Sequence, residues 1–99
     1  MIRSIIDFGT QLSLRDEDGY EVGNLTIAAG SEVLGHSGSF VVIRNGGMIV
    51  TMDENQNTLG SVVLPQDYRV GGINDGGFYA RTGGLTIIYD KYCNTIDRY

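Results

Sequence analysis

From Phe40 the chain runs through a β-branched apolar stretch, Phe-Val-Val-Ile, to Arg44, and Gly46-Gly47 then interrupts it. A second apolar stretch, Met48 to Met52, gives way to the polar cluster Asp53-Glu-Asn-Gln-Asn57, after which Thr58 to Leu64 runs up to Pro65. Short β-branched runs either side of a two-glycine break predict a hairpin with a primed two-residue turn. Asp and Asn bond their own backbone, so the polar cluster predicts a second turn. A proline cannot donate to a ladder and closes the third strand. No stretch of a dozen residues places apolar side chains at helical spacing, so the pattern predicts an all-β chain.

The same order of features returns later, as Phe78–Thr82, Leu85–Tyr89 and Asn94–Tyr99. GGMIVTMDENQNTL (46–59) aligns without a gap on GGLTIIYDKYCNTI (83–96) at an offset of 37 residues. Gly-Gly, Asp and Asn-Thr coincide in order, and Arg44 meets Arg81, Gly35 meets Gly72 and Val33 meets Val70. One further step back, Gly9, Asp16-Glu17 and Gly23 fall on Gly46, Asp53-Glu54 and Gly60, which proposes a first unit of Ile2–Phe8, Leu12–Arg15 and Tyr20–Ile27. There the same offset sets Gln11, Ser13 and Arg15 against Met48, Val50 and Met52, polar residues where a core face is expected. Because strand side chains alternate, a one-residue slip would exchange the faces. Either the first unit carries a bulge or short deletion, or it is no true copy.

The expectation is a single all-β repeat domain over residues 1–99, with units of about 1–27, 38–64 and 75–99. About nine short antiparallel strands form three meanders, joined by linkers 28–39 and 65–76 with room for a further short strand near Val33 and Val70. A three-strand meander leaves one sheet face bare, so the units must pack on one another. A pseudo-threefold body of β-prism or β-trefoil type is the first expectation. A small barrel or a curled meander is the fallback.

Fifteen glycines against one proline fit a turn-rich chain. The net charge of −5, with Arg3 and Arg15 the only Lys or Arg among the first 40 residues, argues against nucleic acid, whose affinity comes from clustered cations. Cys93 is the only cysteine, which rules out an internal disulfide and suits a reducing compartment. The apolar run at the N-terminus is broken by Asp7, too early for a signal peptide or a membrane span. A cytoplasmic, non-membrane protein is the expectation.

Candidate chemistry is sparse. His36 and Cys93 offer a base and a nucleophile, but neither sits in an activating motif, and Cys93 reads as a surface turn thiol. Asp16-Glu-Asp18 and Asp53-Glu-Asn55 begin like calcium loops, yet Thr58 and Leu64 stand where such a loop after Asp53 needs Gly and Glu. Asp53 and Asp90 are the carboxylate pair for a glycosidase-like reaction, though one turn repeated twice also demands the same Asp. Gly71 to Gly77 lacks the lysine and helix of a phosphate loop and reads as a flexible linker. Four of the six tyrosines crowd the last 21 residues, beside Lys91, Asn94, Asp97 and Arg98. Tyr with Asn, Asp and Arg is a frequent composition of recognition surfaces, so Tyr89, Tyr92, Asn94, Asp97 and Arg98 are the candidate ligand-binding residues. No catalytic residue, metal ligand or cofactor is assigned.

The stretch GGLTIIYDKYCNTIDRY resembles a repeat of short uncharacterised bacterial proteins, some carried on mobile genetic elements. In that pattern a glycine turn precedes an apolar strand ending in Tyr-Asp, then a polar turn and another strand; in the middle unit Met52 replaces the Tyr. The resemblance implies no activity. The repeat length is similar to that of monocot mannose-binding lectins, whose Gln-x-Asp-x-Asn-x-Val-x-Tyr motif is missing here. The function expected is a non-catalytic binding module, self-associating or recognising a protein or carbohydrate. The alternatives are a small hydrolase using Asp53, Asp90 or His36, and a structural accessory protein of a mobile element.

Overall fold

A computed structural model describes residues 1–65 and 67–99; Gln66, within the linker read over 65–76, lies outside the described residues. The described elements are all strands: β1 (Ser4–Asp7), β2 (Gln11–Arg15), β3 (Glu21–Thr26), β4 (Glu32–His36), β5 (Val41–Asn45), β6 (Met48–Met52), β7 (Thr58–Val63), β8 (Arg69–Asn74), β9 (Gly77–Thr82), β10 (Leu85–Tyr89) and β11 (Thr95–Arg98). Eleven strands replace the nine expected, and the two additions, β4 and β8, are the short strands expected near Val33 and Val70. No described helix is long and apolar enough to cross a membrane.

All pairing is antiparallel, in three separate sheets: β1-β2-β3, β4-β5-β6-β7 and β8-β9-β10-β11. The registers repeat at the sequence offset of 37 without a slip. Leu14 pairs with Gly23, Thr51 with Gly60 and Ile88 with Asp97, each next to a bulge that leaves Val22, Leu59 and Ile96 unpaired. The first unit is therefore a true copy, with no deletion.

Two apolar clusters join the sheets in chain order. Leu12, Leu14 and Leu25 of the first sheet pack with Val41 and Ile43 of the second. Phe40, Val42 and Ile49 of the second pack with Phe78, Ala80, Ile87 and Tyr89 of the third. The middle sheet is buried on both faces, and this is why Phe40–Ile43 is an unbroken apolar run rather than an alternating one. Neither cluster contains residues of both the first and the third sheet. The units stack in series instead of closing about a threefold axis, so prism or trefoil closure is not what holds them together, and no closed barrel forms among the described residues.

Stacking in series resolves the polar positions of the first unit. Val50 and Met52 lie on the face of the middle sheet turned to the first sheet, and Ile87 and Tyr89 on the corresponding face of the third. Gln11, Ser13 and Arg15 hold the same positions on a face against which no described sheet packs, with Ser13 buried beneath Arg15 and Glu21. Polar side chains suit a repeat face that no described sheet covers.

Candidate functional site

Each meander contains the same five-residue turn. Asp16, Asp53 and Asp90 each receive two backbone N–H groups on Oδ1, from Asp18 and Tyr20, from Asn55 and Asn57, and from Tyr92 and Asn94, at 2.8–3.0 Å. The fourth turn residue is left-handed in every copy, with φ of 84° at Gly19, 65° at Gln56 and 64° at Cys93. Burial disfavours the Asp53 carboxylate, but donation from the Asn57 backbone and side chain and from the Asn55 backbone outweighs it and holds the carboxyl below its usual range. The repeated aspartates are turn-holding groups, as the repeat itself led one to expect. Among the described residues no three His, Cys, Asp or Glu side chains form a cluster able to hold a metal ion.

Cys93 is buried, not a surface thiol, because its turn inserts between the second and third sheets. Its Sγ lies 3.7 Å from Thr51 Oγ1, and Thr51 donates to the Lys91 carbonyl at 2.6 Å. Burial raises the Cys93 thiol; the Thr51 contact opposes that and Asp90 adds to it. His36 instead turns Nδ1 toward the Ser37 carbonyl oxygen, at 3.0 Å. The thiolate character that nucleophilic chemistry requires is absent from this environment.

The candidate recognition residues are split between surfaces. Tyr89 belongs to the core: it is 4 % exposed, and its ring stacks on Phe78 with centroids 5.3 Å apart. Tyr92 and Asn94 belong to the third Asp turn, with Lys91 Nζ 5.5 Å from the Tyr92 ring centroid. Asp97 pairs with Ile88 on the distal side of the third sheet, and Arg98 pairs with Ile87 on the core side. Gly71 to Gly77 is not a flexible linker: it forms the end of β8 and its turn into β9, where Asn74 Oδ1 accepts the Gly76 N–H at 2.8 Å.

The two ends of the stack differ in kind. On the outer face of the first sheet, Arg15 donates to Ser13, and Ser13 and Asn24 both donate to Glu21, at 2.8–3.0 Å. Those two donors, with Arg15 nearby, hold the Glu21 carboxyl below its usual value despite some desolvation. This network is internally satisfied and seals the end.

The distal face of the third sheet is built from Tyr79, Arg81, Thr86, Ile88, Ile96, Asp97 and Tyr99. These positions correspond to Val42, Arg44, Ile49, Thr51, Leu59, Gly60 and Val62 of the middle sheet, the face the third sheet covers. Ile96 and Tyr99 are 61 % and 68 % exposed, whereas Leu59 and Val62 are packed against the core. Tyr79 lies over Gly71 and Gly72, where a side chain at either glycine would collide with its ring. The Arg81 guanidinium sits 5.0 Å from the Tyr79 ring centroid, and its Nε donates to Thr86 Oγ1 at 3.2 Å. A hollow of about 280 Å³ opens beside Tyr79 and Ile88. Sequence comparison of the three units held the signal for this face: an aspartate at 97 in the column of Gly23 and Gly60.

A second concavity, of about 580 Å³, lies between the middle and third sheets and is lined by Glu32, Arg44, Tyr68 and Arg69. Arg44 Nη2 donates to the Tyr68 carbonyl at 3.1 Å, while its buried Nη1 has no hydrogen-bond partner among the described residues.

No family model, no curated protein and no solved structure matches this chain.

Proposed function

We propose that the chain is a non-catalytic interaction module that works through the distal face of its third sheet. One observation carries this reading. The face that is covered in the first and second sheets is uncovered in the third and still holds Ile88, Ile96, Tyr79 and Tyr99, while the opposite end of the stack is dominated by a polar network beside a single exposed Ile6. Exposed apolar residues gathered on one face mark interaction sites. Tyrosine and arginine in such a patch suit a protein partner, and tyrosine beside polar groups suits a carbohydrate. Hydrolysis through Asp53 and Asp90 has less support, because both carboxylates are engaged by their own turns.

Site-specific photocrosslinking tests the reading. A photoreactive residue at position 96 is expected to give protein adducts in the cell, and the same residue at position 24, on the sealed face, is expected to give none. Equal labelling at both positions, or no adduct at 96 together with no response to any sugar, would discard it. A parallel thermal-shift panel of sugars distinguishes the carbohydrate partner, since saturating ligand adds about 2.7 kcal/mol at a hundredfold excess over Kd.

A further inference from the structure

Resting on that reading, we infer that the partner of the distal face is a second copy of the same face, so that two chains pair third sheet to third sheet about a twofold axis.

The internal interfaces limit what the face can accept. Where the middle sheet follows the first, the Glu54 backbone sits directly over Gly23. Where the third follows the second, the Tyr92 backbone sits over Gly60. Both glycines face a backbone atom closer than any β-carbon tolerates, so a following unit docks only against a residue with no side chain. In the third sheet that column holds Asp97. Its carboxylate occupies the seat of an incoming turn, so head-to-tail addition of another unit is blocked. On the outer face of the first sheet, the Arg15–Ser13–Glu21–Asn24 network stands where the matching faces of the later sheets carry apolar side chains, leaving Ile6 as its exposed apolar residue.

Pairing of like faces avoids this obstacle, because no Asp turn is inserted. It also matches the charges. Arg81 pairs with Thr86 in the register, while Asp97 pairs with Ile88 one row further along the sheet and on the opposite side of β10. A cation and an anion therefore lie diagonally across the apolar centre of one face. A twofold axis in the plane of the interface and perpendicular to that diagonal sets Arg81 of each chain against Asp97 of the other. It brings Ile88 and Thr86 of the two chains together between the two ion pairs, with Ile96 flanking each pair beside Asp97. Closed twofold association requires this self-complementarity, and it ends at the dimer instead of propagating.

The test is the mass of the purified protein by sedimentation velocity across micromolar to submillimolar concentration. A reversible dimer of the 10.8 kDa chain is expected. Ile96→Lys, and separately Arg81→Asp and Asp97→Arg, are each expected to weaken association at least tenfold, which is about 1.4 kcal/mol. Circular dichroism melts verify that each variant is folded. The decisive arm mixes Arg81→Asp with Asp97→Arg in equal amounts. In the mixed pair both contacts regain opposite charges, so a heterodimer is expected where neither variant self-associates. A wild-type chain that stays monomeric throughout, or a dimer indifferent to all three variants, would overturn the inference. A monomer whose position 96 still crosslinks to a different protein defeats self-pairing and leaves the interaction module standing. A monomer with no adduct at 96 and no response to any sugar removes both.

Discussion

The backbone of Tyr92 occupies the space that a β-carbon on Gly60 would need, so the third Asp turn is seated directly on the middle sheet. The same relation holds between Glu54 and Gly23 one unit earlier. These two contacts define how one unit follows another.

Gly60→Ala is expected to lower stability by about 1–3 kcal/mol, the range for forcing extra volume into a packed site. The atoms in the way are main chain and have no rotamer to escape into. Gly47→Ala, with nothing near its added methyl, is the control and should stay within about 0.5 kcal/mol of the parent. Urea unfolding of the two variants measures the difference. Equal stability for both would mean the turn is not seated there.

Thr51 joins the same two sheets by a hydrogen bond. It is fully buried, and its hydroxyl donates to the Lys91 carbonyl at 2.6 Å. Thr51→Val keeps the shape and removes the donor, so the expected loss is about 1–3 kcal/mol for an acceptor left unsatisfied at a buried contact. Thr51→Ser keeps the donor and should recover the hydrogen-bond part of that loss, giving up only one methyl. If Val and Ser were equally damaging, packing and not the hydrogen bond would be the cause.

The class of fold was legible because Gly46-Gly47, the Asp53 turn and their counterparts at 83–84 and 90 are local signals, each written in adjacent residues. Even the additional strands were foreshadowed by Val33 and Val70. Less legible was the arrangement of the units, because Ser13 and Arg15 break the apolar pattern for a reason found only in three dimensions: none of the described sheets packs on their face. The candidate site suffered for a similar reason. Tyr89 has the composition of a recognition residue, but strand parity turns it into the core, whereas Tyr79, Ile88 and Ile96 gain their importance only from what covers their equivalents. Cys93 looked exposed because turns usually are, and this turn is wedged between sheets.

Acid stability is expected to depend on Asp53. The N–H groups of Asn57 and Asn55 stabilise its ionised form, so its folded-state affinity for a proton is lower than that of the unfolded chain. A depressed carboxyl contributes stability that is fully present above the unfolded value, about 3.9, and is lost as pH falls through the lower folded value. Asp53→Asn should therefore be less stable than the parent at neutral pH and close the gap as the medium becomes more acidic than that. Unfolding midpoints measured from neutrality down through that window give the comparison. A constant gap across the range would remove Asp53 from the acid response.

Gln56 and Cys93 hold the same left-handed turn position, and what surrounds them gives opposite expectations. A left-handed backbone costs an ordinary residue about 1–2 kcal/mol, while glycine adopts it without that penalty. Gln56 is exposed at φ 65°, so its side chain contributes no packing to offset the strain. Gln56→Gly relieves the strain at the expense of about 0.5–1 kcal/mol of unfolded-chain entropy and should raise stability by up to about 1 kcal/mol. Gly19 already occupies this position in the first unit. Cys93 has the same backbone at φ 64°, but its side chain is buried between two sheets beside Thr51. Cys93→Gly gains the same relief and loses the packed thiol, so it should be destabilising or neutral, never stabilising to the extent of Gln56→Gly. The buried, proton-retaining thiol should also react with a disulfide reagent only as fast as the protein opens, and Gly60→Ala should accelerate that reaction by loosening the turn that covers it. Rapid labelling of the folded parent would show that the turn is not wedged between the sheets, and the account of unit stacking built on Gly60 and Thr51 would fall with it.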